Sequence, residues 1–101
     1  MFEVTIEKTF AAAHFLRDYK GKCERLHGHN YRVHVTVEGE KLAPNGLLVD
    51  FVELKRITND ALDRLDHYNL NDVPPFDKEL NPSAENIAVY LAGKVQTGGR
   101  R

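Results

Sequence analysis

The chain has 101 residues, 42% hydrophobic and 9% aromatic, with a formal net charge of −1. That length suits one domain with a thin margin for a core, and the composition excludes a disordered chain. The charge balance gives no footprint for nucleic acid, and no apolar run reaches the roughly 20 residues of a membrane-spanning helix.

Phe2, Val4 and Ile6 alternate with Glu3, Thr5 and Glu7, which is the period of a half-buried strand. This alternating start lacks the apolar stretch of a secretory signal, so a cytoplasmic protein is expected. The same parity runs on through Lys8, Phe10 and Ala12 to His14. Residues 15–26 are polar and basic and read as a loop. It holds the only cysteine, Cys23, which excludes an internal disulfide. Lys20, Lys22 and Arg25 make it a solvated basic loop by default.

A second strand follows, with Tyr31, Val33, Val35 and Val37 on one face and Arg32, His34, Thr36 and Glu38 on the other. Pro44-Asn45-Gly46 signals a turn. Asp50 reads as the N-cap of a helix to about Leu65, with Leu54, Ile57, Ala61 and Leu65 on its apolar face. Asp66 to Asn81 contains Pro74 and Pro75 and reads as a long loop. A second helix starts near Asn81 or Ser83, with Ala84, Ile87, Ala88, Leu91 and Val95 as its stripe. The expected architecture is one α+β domain over residues 1–96, with both helices on one sheet face, and an unstructured tail at 97–101. Two strands make a poor sheet, so either Leu47 to Val49 adds a third or another chain does.

Histidines concentrate where the two strands should meet. His27 and His29 share a face with Tyr31, and His14 shares one with Ile6. Gly28 between them permits close backbone approach or a bulge. In a hairpin the end of the first strand lies beside the start of the second, which brings His14 to His27 and His29. Three imidazoles at one point suit a transition metal, zinc first, with a fourth position open to substrate. Cys23, four residues before His27, is either a fourth ligand or a thiolate acting as base or nucleophile. His67, just past the first helix, reads locally as a favourable helix-end charge. His34 reads as a surface residue.

The order of several short motifs is itself informative. Ala13-His14, Cys23-Glu24-Arg25-Leu26-His27-Gly28-His29, Val49-Asp50-Phe51, Leu65-Asp66-His67-Tyr68-Asn69-Leu70-Asn71 and Asn81-Pro82-Ser83-Ala84-Glu85-Asn86 occur in series. Together they resemble the 6-pyruvoyl-tetrahydropterin synthase family. The three residues between cysteine and His-Gly-His are similar to its 6-carboxytetrahydropterin synthase branch, which serves queuosine biosynthesis. The pyruvoyl-forming branch tends to a longer gap.

The resemblance implies a tunnelling fold, in which subunits join sheets into a barrel and trimers stack, commonly as hexamers. It implies a zinc ion on His14, His27 and His29 and 7,8-dihydroneopterin triphosphate as substrate. It makes Cys23 the proton-abstracting group and Asp66 with His67 an acid–base pair supplied from a neighbouring subunit. It also implies a further strand whose glutamate anchors the pterin. The carboxylates of the last third are Asp72, Asp77, Glu79 and Glu85, and none lies on such a strand. A truncated or frameshifted product, and a natural short homologue that has lost or rebuilt the pterin pocket, are the two readings of that difference. Besides the carboxy-forming lyase, the alternatives are a pyruvoyl-forming synthase and a zinc-stabilised assembly module without turnover.

Overall fold

The computed structural model describes residues 1–18, 21 and 24–97. Strand β1 spans Phe2–His14 and strand β2 His27–Gly39. They pair antiparallel without interruption, from Phe2 opposite Gly39 to His14 opposite His27. No bulge breaks this register, so parity counted along the sequence carries through to the far end. Gly28 faces Ala13, and a Cβ there would meet only the Ala12 carbonyl, at 3.9 Å. Close approach therefore does not demand the glycine.

Helix α1 spans Phe51–Leu62 and helix α2 Ala84–Gln96. Both starts are capped by side chains. Asp50 accepts from the Val52 N–H at 2.9 Å, and Ser83 from the Asn86 N–H at 3.1 Å. The two helices pack on the same face of the sheet, where Phe10 and Ala12 meet Ala61, Leu62, Leu65, Leu70, Phe76, Ile87 and Leu91. Leu65, Leu70 and Phe76 have no exposed surface, and each such side chain contributes about 1.5–3 kcal/mol through burial. The result is an α+β fold with an antiparallel sheet and two helices.

Three expectations shift. Helix α1 stops at Leu62 rather than Leu65, where the chain tightens into a turn in which the Leu65 N–H bonds the Leu62 carbonyl three residues back. Leu65 still reaches the core, from a turn. Residues 66–81 are not plain loop: Leu70–Asp72 forms a 3-10 turn capped by Asn69. Leu47 to Val49 is no strand. Its Leu47 carbonyl accepts from Ala43 in a local turn, and the sheet of the described residues has two strands.

The core is uneven. It is dense under the histidine end of the hairpin and thin under the other. There Val35 and Val37 stay half-buried over a groove of about 900 Å³, floored by Leu54, Ile57, Ile87, Leu91 and Val95.

Candidate metal centre

The hairpin register brings three imidazoles together. His14 stands opposite His27, and His29 follows on the same face of β2. Ring centroids are 4.7 Å apart for His14 and His27, 4.7 Å for His27 and His29, and 5.2 Å for His14 and His29. All three pairs meet edge to face. One nitrogen from each ring lies within 4.8 Å of the others. Tetrahedral zinc at about 2.0–2.1 Å from each nitrogen needs them about 3.3–3.4 Å apart. Three neutral imidazoles converging within that distance are a zinc donor set, so the residues fit the ion by their chemistry.

Backbone carbonyls orient two of the rings. His14 Nδ1 lies 2.6 Å from the Pro82 carbonyl oxygen, and His27 Nδ1 lies 2.7 Å from that of Arg25. A carbonyl only accepts, so each Nδ1 carries the proton and each Nε2 keeps its lone pair for a metal. Burial runs from His14, 6% exposed, through half-buried His27 to exposed His29. Burial pushes the His14 pKa below 6.5; the Pro82 carbonyl partly offsets this, and His27 and His29 add to the lowering. The neutral form, which ligates, is favoured.

Tyr31 adds a group that the motif series does not single out. Its hydroxyl oxygen lies 3.1 Å from His14 Nδ1 and 3.3 Å from Nε2. Burial raises its pKa to about 12, so it stays a phenol.

The segment after α1 lies along the free edge of β1. Asp66 Oδ1 accepts from the Ala11 N–H at 2.9 Å, His67 N–H donates to the Ala11 carbonyl, and Ala13 N–H donates to the Tyr68 carbonyl. Asn71 then takes both backbone groups of Phe15, accepting at 2.9 Å and donating at 3.1 Å. Asn81 does the same for Arg17, at 2.7 and 2.8 Å. Each amide imitates the edge of a neighbouring strand. These roles were open to no sequence signal beyond the presence of asparagine in the motifs.

Asp66 and His67 are a pair: Asp66 Oδ2 lies 3.1 Å from His67 Nδ1. The Ala11 N–H, then the His67 ring, hold the Asp66 carboxyl below its usual 3.8. His67 has φ 66°, a left-handed backbone that costs a non-glycine residue about 1–2 kcal/mol. Such strain gathers at functional positions. The helix-end reading of His67 does not hold, since α1 ends five residues earlier and the ring answers to Asp66. His67 and His29 border one shallow depression of about 450 Å³, floored by Ala11, Ala13 and Gly28. His34 is on the outer face, 2.9 Å from Glu7 Oε1, as a surface residue should be. Arg25 contributes its carbonyl rather than its charge. Cys23, Lys20 and Lys22 lie outside the described residues.

The model of the family described as 6-pyruvoyl tetrahydropterin synthase matches residues 3–100. The chain belongs to that family. It is 35% identical over 96 residues to a putative 6-carboxy-5,6,7,8-tetrahydropterin synthase of Archaeoglobus fulgidus, covering 95% of this chain and 77% of that protein. It is 37% identical over 99 residues to the 6-carboxy-5,6,7,8-tetrahydropterin synthase of Bacillus subtilis, covering 94% of this chain and 66% of that one. The solved structure of Caenorhabditis elegans 6-pyruvoyl tetrahydropterin synthase superposes with a TM-score of 0.81 at 34% identity, over 100% of this chain and 82% of that one. Both carboxy- and pyruvoyl-forming relatives thus stand at about the same distance. No helix among the described residues is long and apolar enough to cross a membrane.

Proposed function

We propose that the chain is a zinc-dependent 6-carboxy-5,6,7,8-tetrahydropterin synthase. It would convert 7,8-dihydroneopterin triphosphate to 6-carboxytetrahydropterin, acetaldehyde and triphosphate, in the cytoplasm, for queuosine synthesis. The observation that carries this is the pairing of His14 with His27, which assembles the three-histidine set from one hairpin. The spacing of Cys23 to His27 favours the carboxy-forming branch over the pyruvoyl-forming one.

His14, His27 and His29 would hold the zinc, which supplies Lewis acidity toward a side-chain hydroxyl of the substrate. Cys23 takes a proton from the substrate carbon chain. Asp66 orients His67 through Nδ1, leaving Nε2 to give and take protons at the site of a neighbouring subunit. The strained backbone of His67 supports that role. The proposed assembly is a homo-oligomer, trimer or hexamer, that closes two-stranded sheets into a barrel. The long open edge of β2 supports it.

Zinc-loaded protein incubated with 7,8-dihydroneopterin triphosphate should release acetaldehyde, read by mass spectrometry together with the pterin product. A pyruvoyl product reassigns the branch. Zinc bound without any turnover leaves the assembly module as the reading. Mixing Cys23→Ala with His67→Ala subunits tests the cross-subunit arrangement: recovered turnover is expected if the pair serves a neighbour's site.

A further inference from the structure

We propose that Tyr31 is a positioning residue for the metal, holding the His14 ring in its ligating orientation. The inference rests on the metal-centre reading above. His14 is the one buried ligand of the three and comes from the opposite strand, so the site closes only if its ring is fixed. The Pro82 carbonyl holds Nδ1 through a single bond, which rotation about Cβ–Cγ would break.

Tyr31 adds a second hold against that rotation. The in-plane directions of the two imidazole nitrogens diverge, and the hydroxyl oxygen is nearly equidistant from both, at 3.1 and 3.3 Å. It therefore bears on the ring face rather than on either lone pair, and the Nε2 lone pair stays open. The two rings stand perpendicular, at 88°, with centroids 5.8 Å apart. Tyr31 is itself pinned, stacked on Phe10 at 4.8 Å and 12°. The support thus runs from the core through Phe10 to Tyr31 to His14. The imidazole Cβ–Cγ torsion is broad and nearly two-fold, so a ring without such a stop samples orientations that point Nε2 away. Outer partners that hydrogen-bond a ligating histidine change metal affinity roughly 10- to 100-fold when removed, and a ring-face support falls at the lower end of that range.

The test is zinc affinity by chelator competition in Tyr31→Phe, which keeps the aromatic ring and its stack on Phe10. The expected result is a loss of about tenfold. The metal-free unfolding midpoint should be unchanged, and the cobalt-substituted protein should show an altered visible spectrum. Affinity within twofold of wild type overturns the proposal, as does a loss that only tracks a loss of metal-free stability. His14→Ala in parallel separates the two readings. If wild type binds no zinc, or His14→Ala binds it undiminished, the metal centre itself falls, and this proposal with it. If His14→Ala abolishes binding while Tyr31→Phe does not weaken it, only the role of Tyr31 falls.

Discussion

The Pro82 carbonyl accepts the Nδ1 proton of His14 across 2.6 Å, tying the last residue of β1 to the residue before the cap of α2. The bond is buried, and it fixes both a tautomer and a loop. A metal on His14 is therefore linked to the seating of the second helix.

That link makes metal addition a stability measurement. At a zinc concentration a hundredfold above its Kd, unfolding should become harder by about 2.7 kcal/mol, and a chelator should reverse it. His14→Ala should show no zinc response. It should also lose about 1–3 kcal/mol without metal, because the Pro82 carbonyl is left buried and unpaired. Denaturant titrations with and without zinc read both effects.

Asn71→Ala and Asn81→Ala each delete two hydrogen bonds to one backbone unit, at Phe15 and at Arg17. Each should cost about 1–3 kcal/mol. Hydrogen exchange is expected to quicken at the Phe15 amide in the first variant and at the Arg17 amide in the second. Uniform quickening over the whole chain would instead mean that the amides serve global stability alone.

Asp66 predicts a pH dependence. Its folded pKa is below 3.8, so its ionised form is favoured by folding. The stabilisation is complete above pH 3.8 and is lost as pH falls through the folded value. Asp66→Asn still accepts from the Ala11 N–H but carries no charge. The stability gap between wild type and Asp66→Asn should hold at neutral pH and narrow below pH 3.8. A gap that widens in acid would contradict the assignment.

His67→Gly should separate stability from chemistry. Glycine relieves the left-handed backbone but adds chain entropy to the unfolded state, for a net gain of about 0.5–1 kcal/mol. The same change removes the imidazole, so turnover should collapse while the unfolding midpoint rises. A midpoint that falls would show that the ring, through Asp66, holds more than the backbone strain costs.

The parts legible in the sequence share one property: they depend on period and on neighbours in the chain. Strand parity from Phe2 to His14 survives because no bulge interrupts the register. Asp50 and Ser83 are recognisable because a cap bonds within three residues. The end of α1 was not legible, since Leu65 keeps helical spacing while the chain turns toward the edge of β1. Nor were the carbonyls of Pro82 and Arg25, because every residue but its side chain looks alike at that level. Asn71 and Asn81 were visible as letters, but their partners sit 56 and 64 residues away.

Side-chain amides standing in for a strand also limit how copies of the chain can meet. On the outer margin of β1 and its continuation, the backbone N–H groups of Ala11, Ala13, Phe15 and Arg17 are occupied by residues 66–81. Those amides are closed to any incoming strand. Sheet extension is thereby directional: it has to run along β2 or the first half of β1. At the end of the hairpin where the histidines lie, edge sticking is blocked on the β1 side and left to β2.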